Sequence, residues 1–305
     1  MRMHRGRPLI LAYHRVARVE RDPHLLCVDP NRFADHLDYL HRQVEIVPLR
    51  TLQERSSGRR VVITFDDGYA DNATVAKTIL EGIGVPATFF VTAGMVGVRR
   101  EFWWDKLESI LWTPSLGRDH LEVEVAGQRL WMDVRSDQAR QRAYRAIHAR
   151  LRRLPVRSIE RFLDELISEV KSPTPDRETY RVLSEQELLS LSSHLFEVGA
   201  HSISHPLLSA QPLEEQRAEI IESRAMLEGL TGRPVSAFSY PFGGRDAFNR
   251  ETVRLVKQAG YKVACTGLSG SVSRRSQPLC LPRNFVRDWN REEFAAWLSR
   301  RFAGE

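Results

Sequence analysis

The chain has 305 residues, of which 42% are hydrophobic, and its formal net charge is +6. This length suits one large α/β domain or two small ones, and the hydrophobic fraction excludes general disorder. Part of the positive charge lies between Arg140 and Arg157, which we interpret as a solvated helix face. Contact with anionic lipid or an acidic glycan is the weaker alternative. No recognised nucleic-acid module accompanies the charge, so no nucleic-acid partner is expected.

Short apolar runs alternate with helical patterns along most of the chain. Runs of strand length, rich in β-branched and aromatic residues, predict strands at 9–13, 61–65, 87–92, 196–200, 237–240, 261–266 and 281–286. Helices are predicted at 31–43, capped by Asn31, at 72–81, closed by Gly82, and at 213–229 and 250–259. This alternation predicts a parallel sheet or barrel with helices outside it.

Residues 100–183 interrupt the alternating pattern. An aromatic cluster at 102–104 opens a short helix, a β-like piece follows at 121–132, and two amphipathic helices come next. The barrel pattern resumes at a capping box formed by Ser184 and Glu187. We therefore divide the chain into a first barrel part (1–100), an inserted, mainly helical subdomain (101–183) and a second barrel part (184–305).

The N-terminal segment and the cysteines bear on the cellular compartment. The apolar run 9–13 is too short for the core of a signal peptide, and no run approaches a membrane span. The three cysteines have no close spacing that would indicate a disulfide framework. The sequence therefore predicts a cytoplasmic protein and leaves peripheral contact with a membrane surface open.

Two polar motifs follow predicted strands. Asp66 and Asp67 end the strand 61–65, and His201 and His205 follow the strand 196–200. Taken separately, Asp-Asp-Gly is often a turn, and two histidines four residues apart are often on a solvated surface. Together, one carboxylate and two imidazoles form a ligand set that suits zinc or a related divalent ion, with the second carboxylate free to act as a base.

The two motifs resemble those of polysaccharide deacetylases with a NodB homology domain. The first family motif is matched by Thr64–Gly68, the second by His201–His205, and a weaker third motif by Ser239–Phe242. The resemblance extends from about residue 8 to about residue 286. It implies a distorted (β/α) barrel of about seven strands and a metal-dependent enzyme that removes N-acetyl groups from an N-acetylated glycan.

The resemblance also implies roles for individual residues. Asp67, His201 and His205 would bind the metal, which we expect to be zinc, and Asp66 would be the general base. A backbone N–H at Phe242 would stabilise the oxyanion. Tyr240 and Pro241, from the same third motif, would contact the substrate.

The sequence departs from the family pattern at two catalytic positions. The third motif usually has an arginine two residues before its proline, where this chain has Ser239. Arg283 is the best substitute to orient Asp66, although a surface arginine is an equal alternative. The family's late histidine, its usual acid, is also missing. His14 follows the first strand and could replace this late histidine as the acid. The alternative for His14 is a buried structural histidine. His24 and His148 fall in predicted loops or helices.

Trp104 and Asp105 could line a sugar subsite, with the indole stacking on a pyranose ring. The alternative is that the tryptophans of the cluster dock the insertion onto the barrel. Two other functions also remain open at this stage. One is hydrolysis of a different C–N bond, such as a cyclic amide, and the other is a non-catalytic glycan-binding role in polysaccharide assembly.

Overall fold

The structure is a computed structural model that describes residues 7–52, 58–173 and 176–304. Residues 1–6 and 53–57 of the predicted first barrel part, residues 174–175 of the predicted insertion and residue 305 of the second barrel part therefore lie outside the described residues. The strands are β1 (Leu9–Tyr13), β2 (Arg15–Val16), β3 (Cys27–Val28), β4 (Glu45–Ile46), β5 (Arg60–Phe65), β6 (Ala87–Val91), β7 (His120–Val125), β8 (Gln128–Asp133), β9 (Phe196–Ala200), β10 (Ala237–Ser239), β11 (Val263–Cys265) and β12 (Asn284–Phe285).

The main sheet is a curled, parallel half-barrel. Its strands lie in the order β11-β10-β9-β6-β5-β1-β12, and β4 also pairs with β5. A single parallel bridge joins Leu281, just before β12, to Cys265 of β11, which brings the two ends of the sheet together. The predicted α/β class and the distorted barrel of about seven strands are confirmed.

The central strands are buried on both faces, which is why their sequences read as continuous apolar runs. Every residue of β1, β5 and β6 is buried. Residues of β1 pair in register with β5, from Leu9 opposite Val61 to Tyr13 opposite Phe65. Because the strands are parallel, the residues that follow their carboxyl ends meet at one edge of the barrel.

The helices are α1 (Pro30–Gln43), α2 (Lys77–Ile83), α3 (Trp103–Leu111), α4 (Asp137–Leu151), α5 (Val156–Val170), α6 (Glu185–Leu191), α7 (Leu213–Thr231), α8 (Arg250–Gln258) and α9 (Arg291–Ala303). Among the described residues, no helix has both the length and the apolar character that a membrane crossing requires. The capping box of Ser184 and Glu187 begins α6 as predicted. The C-terminal α9 was not predicted, although Asn290 and Glu293 form a capping box at its start.

Two predicted helix ends were wrong. The side chain of Asp29, not Asn31, caps α1, because the Asn31 backbone N–H donates to Asp29. The helix after Asn72 begins with a π-helical stretch and ends at Gly84 rather than Gly82. Gly84 has a φ of 73°, a left-handed conformation that glycine adopts without the steric cost of a Cβ.

The residues of the predicted insertion pack in a second hydrophobic cluster. Helix α3 packs against α4 and α5, and α4 packs on the antiparallel hairpin β7–β8, so this segment contains a hairpin as well as helices. This core also includes Tyr69 and Met95, which belong to loops of the barrel. The shared core holds the insertion against the edge of the barrel where the strands end.

Candidate metal and catalytic site

Asp66 lies directly after β5 and is ion-paired with Arg283. The guanidinium donates two hydrogen bonds to the carboxylate, and both side chains are almost fully buried, with Asp66 2% and Arg283 1% exposed. Burial alone would raise the pKa of Asp66, but the charge and hydrogen bonds of Arg283 outweigh it and hold the pKa below its usual value. The Asp66 carboxylate is therefore ionised and fixed in orientation.

Arg283 is itself held in place by the ends of neighbouring strands. Its Nη2 donates to the Ser239 hydroxyl over 2.8 Å, its Nη1 to the Thr64 hydroxyl over 3.2 Å and its Nε to the Thr266 carbonyl over 3.0 Å. The Ser239 hydroxyl also donates to Asp66 over 3.3 Å. Arg283 thus brings its charge from the segment before β12 to the third-motif position that Ser239 occupies.

Asp67, His201 and His205 form a buried group of three potential ligands whose ligand atoms all lie within 4.8 Å of one another. Oδ1 of Asp67 is 3.5 Å from Nε2 of His201 and 3.4 Å from Nε2 of His205. The pKa of Asp67 is well below its usual value: burial raises it, but the interactions of the carboxylate with the two histidines outweigh that effect. For His205, by contrast, burial lowers the pKa.

The donor atoms of this group fit a divalent ion of the zinc class. Nδ1 of His201 lies 2.7 Å from the Ser239 carbonyl, to which it donates, so Nε2 keeps its lone pair on the side of Asp67. His205 has no such partner for its Nδ1 among the described residues. Packing orients it instead, since the rings of Trp104 and Phe242 each lie 4.7 Å from its ring.

Backbone strain is concentrated at the site. Asp67, Ser202, His205 and Phe242 all have φ between 60° and 74°, in the left-handed region that side chains other than glycine seldom adopt. Each such conformation costs on the order of 1–3 kcal/mol. Asp67, His205 and Phe242 line the same cavity, and the Ser202 hydroxyl accepts a hydrogen bond from the backbone N–H of His205.

His14 follows β1 and lies beside Asp66. Its Nε2 is 4.0 Å from Oδ2 of Asp66, and its ring stacks on Phe285 at 5.5 Å. Burial lowers the pKa of His14, although the charges of Asp67 and Asp66 oppose this effect. The imidazole is therefore neutral at neutral pH and lies beside the Asp66 carboxylate.

A cavity of about 180 Å³ connects these groups. Its lining includes the predicted residues His14, Asp66, Asp67, Trp104, His201, His205, Tyr240, Phe242 and Arg283. The backbone N–H of Phe242 donates to no acceptor in the described ranges. It is therefore free to donate to an oxygen of a ligand in the cavity.

A sequence comparison places the chain in a family. A family model for polysaccharide deacetylases matches residues 53–114 and 166–264, which together form more than half of the chain. The chain belongs to the polysaccharide deacetylase family. The Bacillus subtilis (strain 168) protein YxkH, provisionally named a polysaccharide deacetylase, is 21% identical over 272 residues. The match covers 87% of this chain but only 66% of YxkH, so the chain spans less than two thirds of that relative.

Solved structures support the fold. The Streptococcus pyogenes deacetylase PplD, determined in complex with acetate, has a TM-score of 0.61 at 16% identity, with 95% of this chain and 97% of PplD covered. IcaB from Ammonifex degensii has a TM-score of 0.59 at 19% identity, with 96% and 97% covered. At such low identity, these likenesses show that this deacetylase-family chain shares their fold.

Some predicted substrate residues of this polysaccharide deacetylase family member lie away from the cavity. Asp105 does not line it; its carboxylate accepts a hydrogen bond from Tyr69 over 2.5 Å. Trp104 is 6% exposed, stacks on Phe102 at 4.5 Å and donates to the Tyr69 hydroxyl over 2.8 Å. These contacts favour the docking alternative, because little of the indole is left for a pyranose ring. Pro241 is buried and also lies outside the cavity lining.

Other cavity residues were missed at the level of the sequence. His24 and His148 were assigned to loops or helices away from the site, yet both line the cavity, with their rings 4.5 Å apart. His148 comes from α4 of the insertion and stacks on Trp103 at 4.8 Å. Arg287, two residues beyond β12, also lines the cavity. No strand end preceded the two histidines, so the argument from parallel strands could not find them.

Proposed function

We propose that this protein is a metal-dependent hydrolase that removes N-acetyl groups from N-acetylhexosamine units of a surface polysaccharide or its lipid-linked precursor. The observation that carries the proposal is the buried Asp66–Arg283 ion pair beside the Asp67–His201–His205 group. A protein that only bound glycans would have no use for an ionised base at this depth, where burying a charge is costly. A substrate acetamide in the cavity would meet both carboxylates.

The reaction requires two proton transfers. Water adds to the acetamide carbonyl and loses a proton, and the C–N bond then breaks to leave acetate and an amine that must gain a proton. Asp66 is suited to accept the first proton, because Arg283 fixes its carboxylate and keeps it ionised. In the same cavity, the Phe242 N–H would donate to the carbonyl oxygen as negative charge develops there.

Asp67, His201 and His205 would hold the metal ion. When bound, a divalent ion supplies a Lewis acid that polarises the carbonyl and makes a water molecule more acidic. The neutral His14 would receive a proton within the site and pass it to the departing amine. This assignment is supported by the 4.0 Å distance between His14 Nε2 and the Asp66 carboxylate.

The decisive experiment is acetate release by purified, zinc-loaded protein from N-acetylated oligosaccharides of increasing length. Asp66→Asn should retain zinc and lose about 10²–10⁴-fold in kcat, since an amide cannot accept the proton. Asp35→Asn, which alters an exposed carboxylate on α1, is the matched control. Release from a cyclic amide but from no sugar would favour the alternative hydrolase, and binding without turnover of any substrate would favour a glycan-binding protein.

A further inference from the structure

Among the described residues, four with full charges line the cavity, and one of these four has no ion-pair partner there. Asp66 is paired with Arg283, and Asp67 lies against the two histidines. Arg287 forms no ion pair with any carboxylate in the described part of the chain. Its positive charge is therefore not neutralised by the protein within the cavity that it lines.

Backbone carbonyls hold the Arg287 side chain in place. Its Nη1 donates to the carbonyl of His24 over 3.2 Å and to that of Leu25 over 2.5 Å. The guanidinium also lies 5.8 Å from the centre of the Phe285 ring. Its Nε and Nη2 atoms have no acceptor among the described residues, and they form one edge of the guanidinium fork. That edge matches the two oxygens of a carboxylate or phosphate.

The described residues around Arg287 offer no close counter-ion. Of their acidic groups, Asp22 is the one whose charge acts on Arg287 appreciably, and both Asp22 oxygens already accept backbone N–H groups, those of Leu26 and Cys27. Burial lowers the pKa of Arg287, as expected for a cation without a close partner. The neighbouring His24 is neutral, since burial lowers its pKa to about 4. A partly buried cation of this kind is stabilised when a ligand supplies the anion.

We propose that Arg287 binds an anionic oxygen group of the substrate and so makes the site selective for acidic glycans. The proposal rests on the function proposed above. The group would be the carboxylate of a uronate next to the N-acetylhexosamine, or a phosphate attached to it. Both present the paired oxygens that the free guanidinium edge recognises. Arg283 cannot serve this purpose, because Asp66 occupies its fork.

Kinetics on matched substrates test this assignment. The substrates are an N-acetylhexosamine joined to a uronate, the same oligosaccharide with the uronate reduced to a neutral hexose, and an N-acetylhexosamine 1-phosphate. Arg287→Gln should lower kcat/KM for an anionic substrate at least tenfold, mainly through KM. Its effect on the neutral oligosaccharide should be at least tenfold smaller. Comparing the uronate with the phosphate identifies the source of the anion.

Two further variants test whether the effect of Arg287→Gln comes from a change in the fold. Arg287→Lys keeps the positive charge but lacks the paired N–H edge, so its preference for the anionic substrate should be smaller than that of the native chain and larger than that of Arg287→Gln. Arg274→Gln removes an exposed arginine outside the cavity and should leave the preference as in the native chain. Thermal unfolding of each variant checks the fold. Equal losses on anionic and neutral substrates in Arg287→Gln would overturn the proposal.

A binding measurement separates this proposal from the proposed function. In the zinc-loaded Asp66→Asn background, calorimetry should show tighter binding of the uronate oligosaccharide than of its neutral analogue, and Arg287→Gln should remove the difference. If this preference appears while native protein releases no acetate, the anion subsite stands and the hydrolase proposal fails. If acetate is released with no dependence on Arg287, the hydrolase stands and the subsite fails. Absence of any charge preference in binding and turnover overturns the subsite.

Discussion

Arg283 donates two hydrogen bonds to Asp66, from Nη1 to Oδ1 over 2.6 Å and from Nη2 to Oδ2 over 2.5 Å, although the residues are 217 positions apart. This paired geometry fixes the plane of the carboxylate as well as its charge. A lysine at the same position would supply charge without the second bond. The orientation of the base therefore depends on the guanidinium and not only on its charge.

Arg283→Lys should lower kcat by about 10–100-fold while zinc content stays intact, because Asp66 keeps a counter-ion but loses its fixed plane. Arg283→Met should in addition destabilise the fold by about 3–5 kcal/mol, since it leaves a buried carboxylate unpaired. Steady-state kinetics and urea unfolding measure the two effects, with Arg274→Lys as the exposed control. Normal turnover in both Arg283 variants would show that Asp66 does not need this partner.

Removing the metal should abolish acetate release, and adding zinc should restore it. His201→Gln should fail to retain about one zinc per chain at equilibrium, because it removes one of three protein ligands. His41→Gln alters an exposed histidine and should keep its zinc. Metal analysis by mass spectrometry gives the stoichiometry independently of activity. Full activity in rigorously metal-free protein would refute the metal-dependent mechanism.

His14→Gln should lower kcat for an N-acetylated sugar with little change in zinc content. The loss should be smaller for an aryl acetate ester, whose leaving group needs no proton. His194→Gln, at an exposed position, is the control. The ratio of the two losses is the informative measurement. Equal losses on amide and ester would assign His14 a structural role beside Asp66.

Asp105 should make folding stability depend on pH. Burial raises the pKa of Asp105 to about 7, although the positive charge of Arg15 opposes this. The folded chain thus holds a proton that the unfolded chain, with an ordinary pKa near 3.9, has already released. The contribution of Asp105 to stability is therefore greatest below about pH 4 and is lost as the pH rises to about 7.

Asp105→Asn should remove this contribution. Between about pH 5 and pH 8, the melting temperature of the variant should therefore fall less than that of the native chain. Differential scanning calorimetry across this range measures the difference, and Asp35→Asn, at an exposed carboxylate, should keep the native slope. If the melting temperature of Asp105→Asn fell with pH as steeply as that of the native chain, Asp105 would be ionised throughout this pH range. The hydrogen bond from Tyr69 would then join an anion rather than a neutral carboxyl group.

Local sequence patterns predicted the barrel closely. The runs Leu9–Tyr13 and Phe196–Ala200 are strands with the predicted bounds, because parallel strands buried on both faces need unbroken apolar sequence. The same patterns missed α9 and placed Gly82 at a helix end that Gly84 forms. Both glycines suit a helix end by composition. Only the backbone at Gly84 adopts the left-handed conformation that ends the helix.

The sequence by itself determined the metal-ligand candidates and Asp66, because each follows a predicted strand and parallel strands end at one edge of the barrel. It could not decide whether Arg283 reaches Asp66 or lies on the surface, since that depends on how the segment before β12 returns to the sheet. Nor did any local pattern place His148 or Arg287 in the cavity. Side chains distant in sequence meet there only because the insertion packs against the barrel and the sheet curls, and both depend on long-range burial.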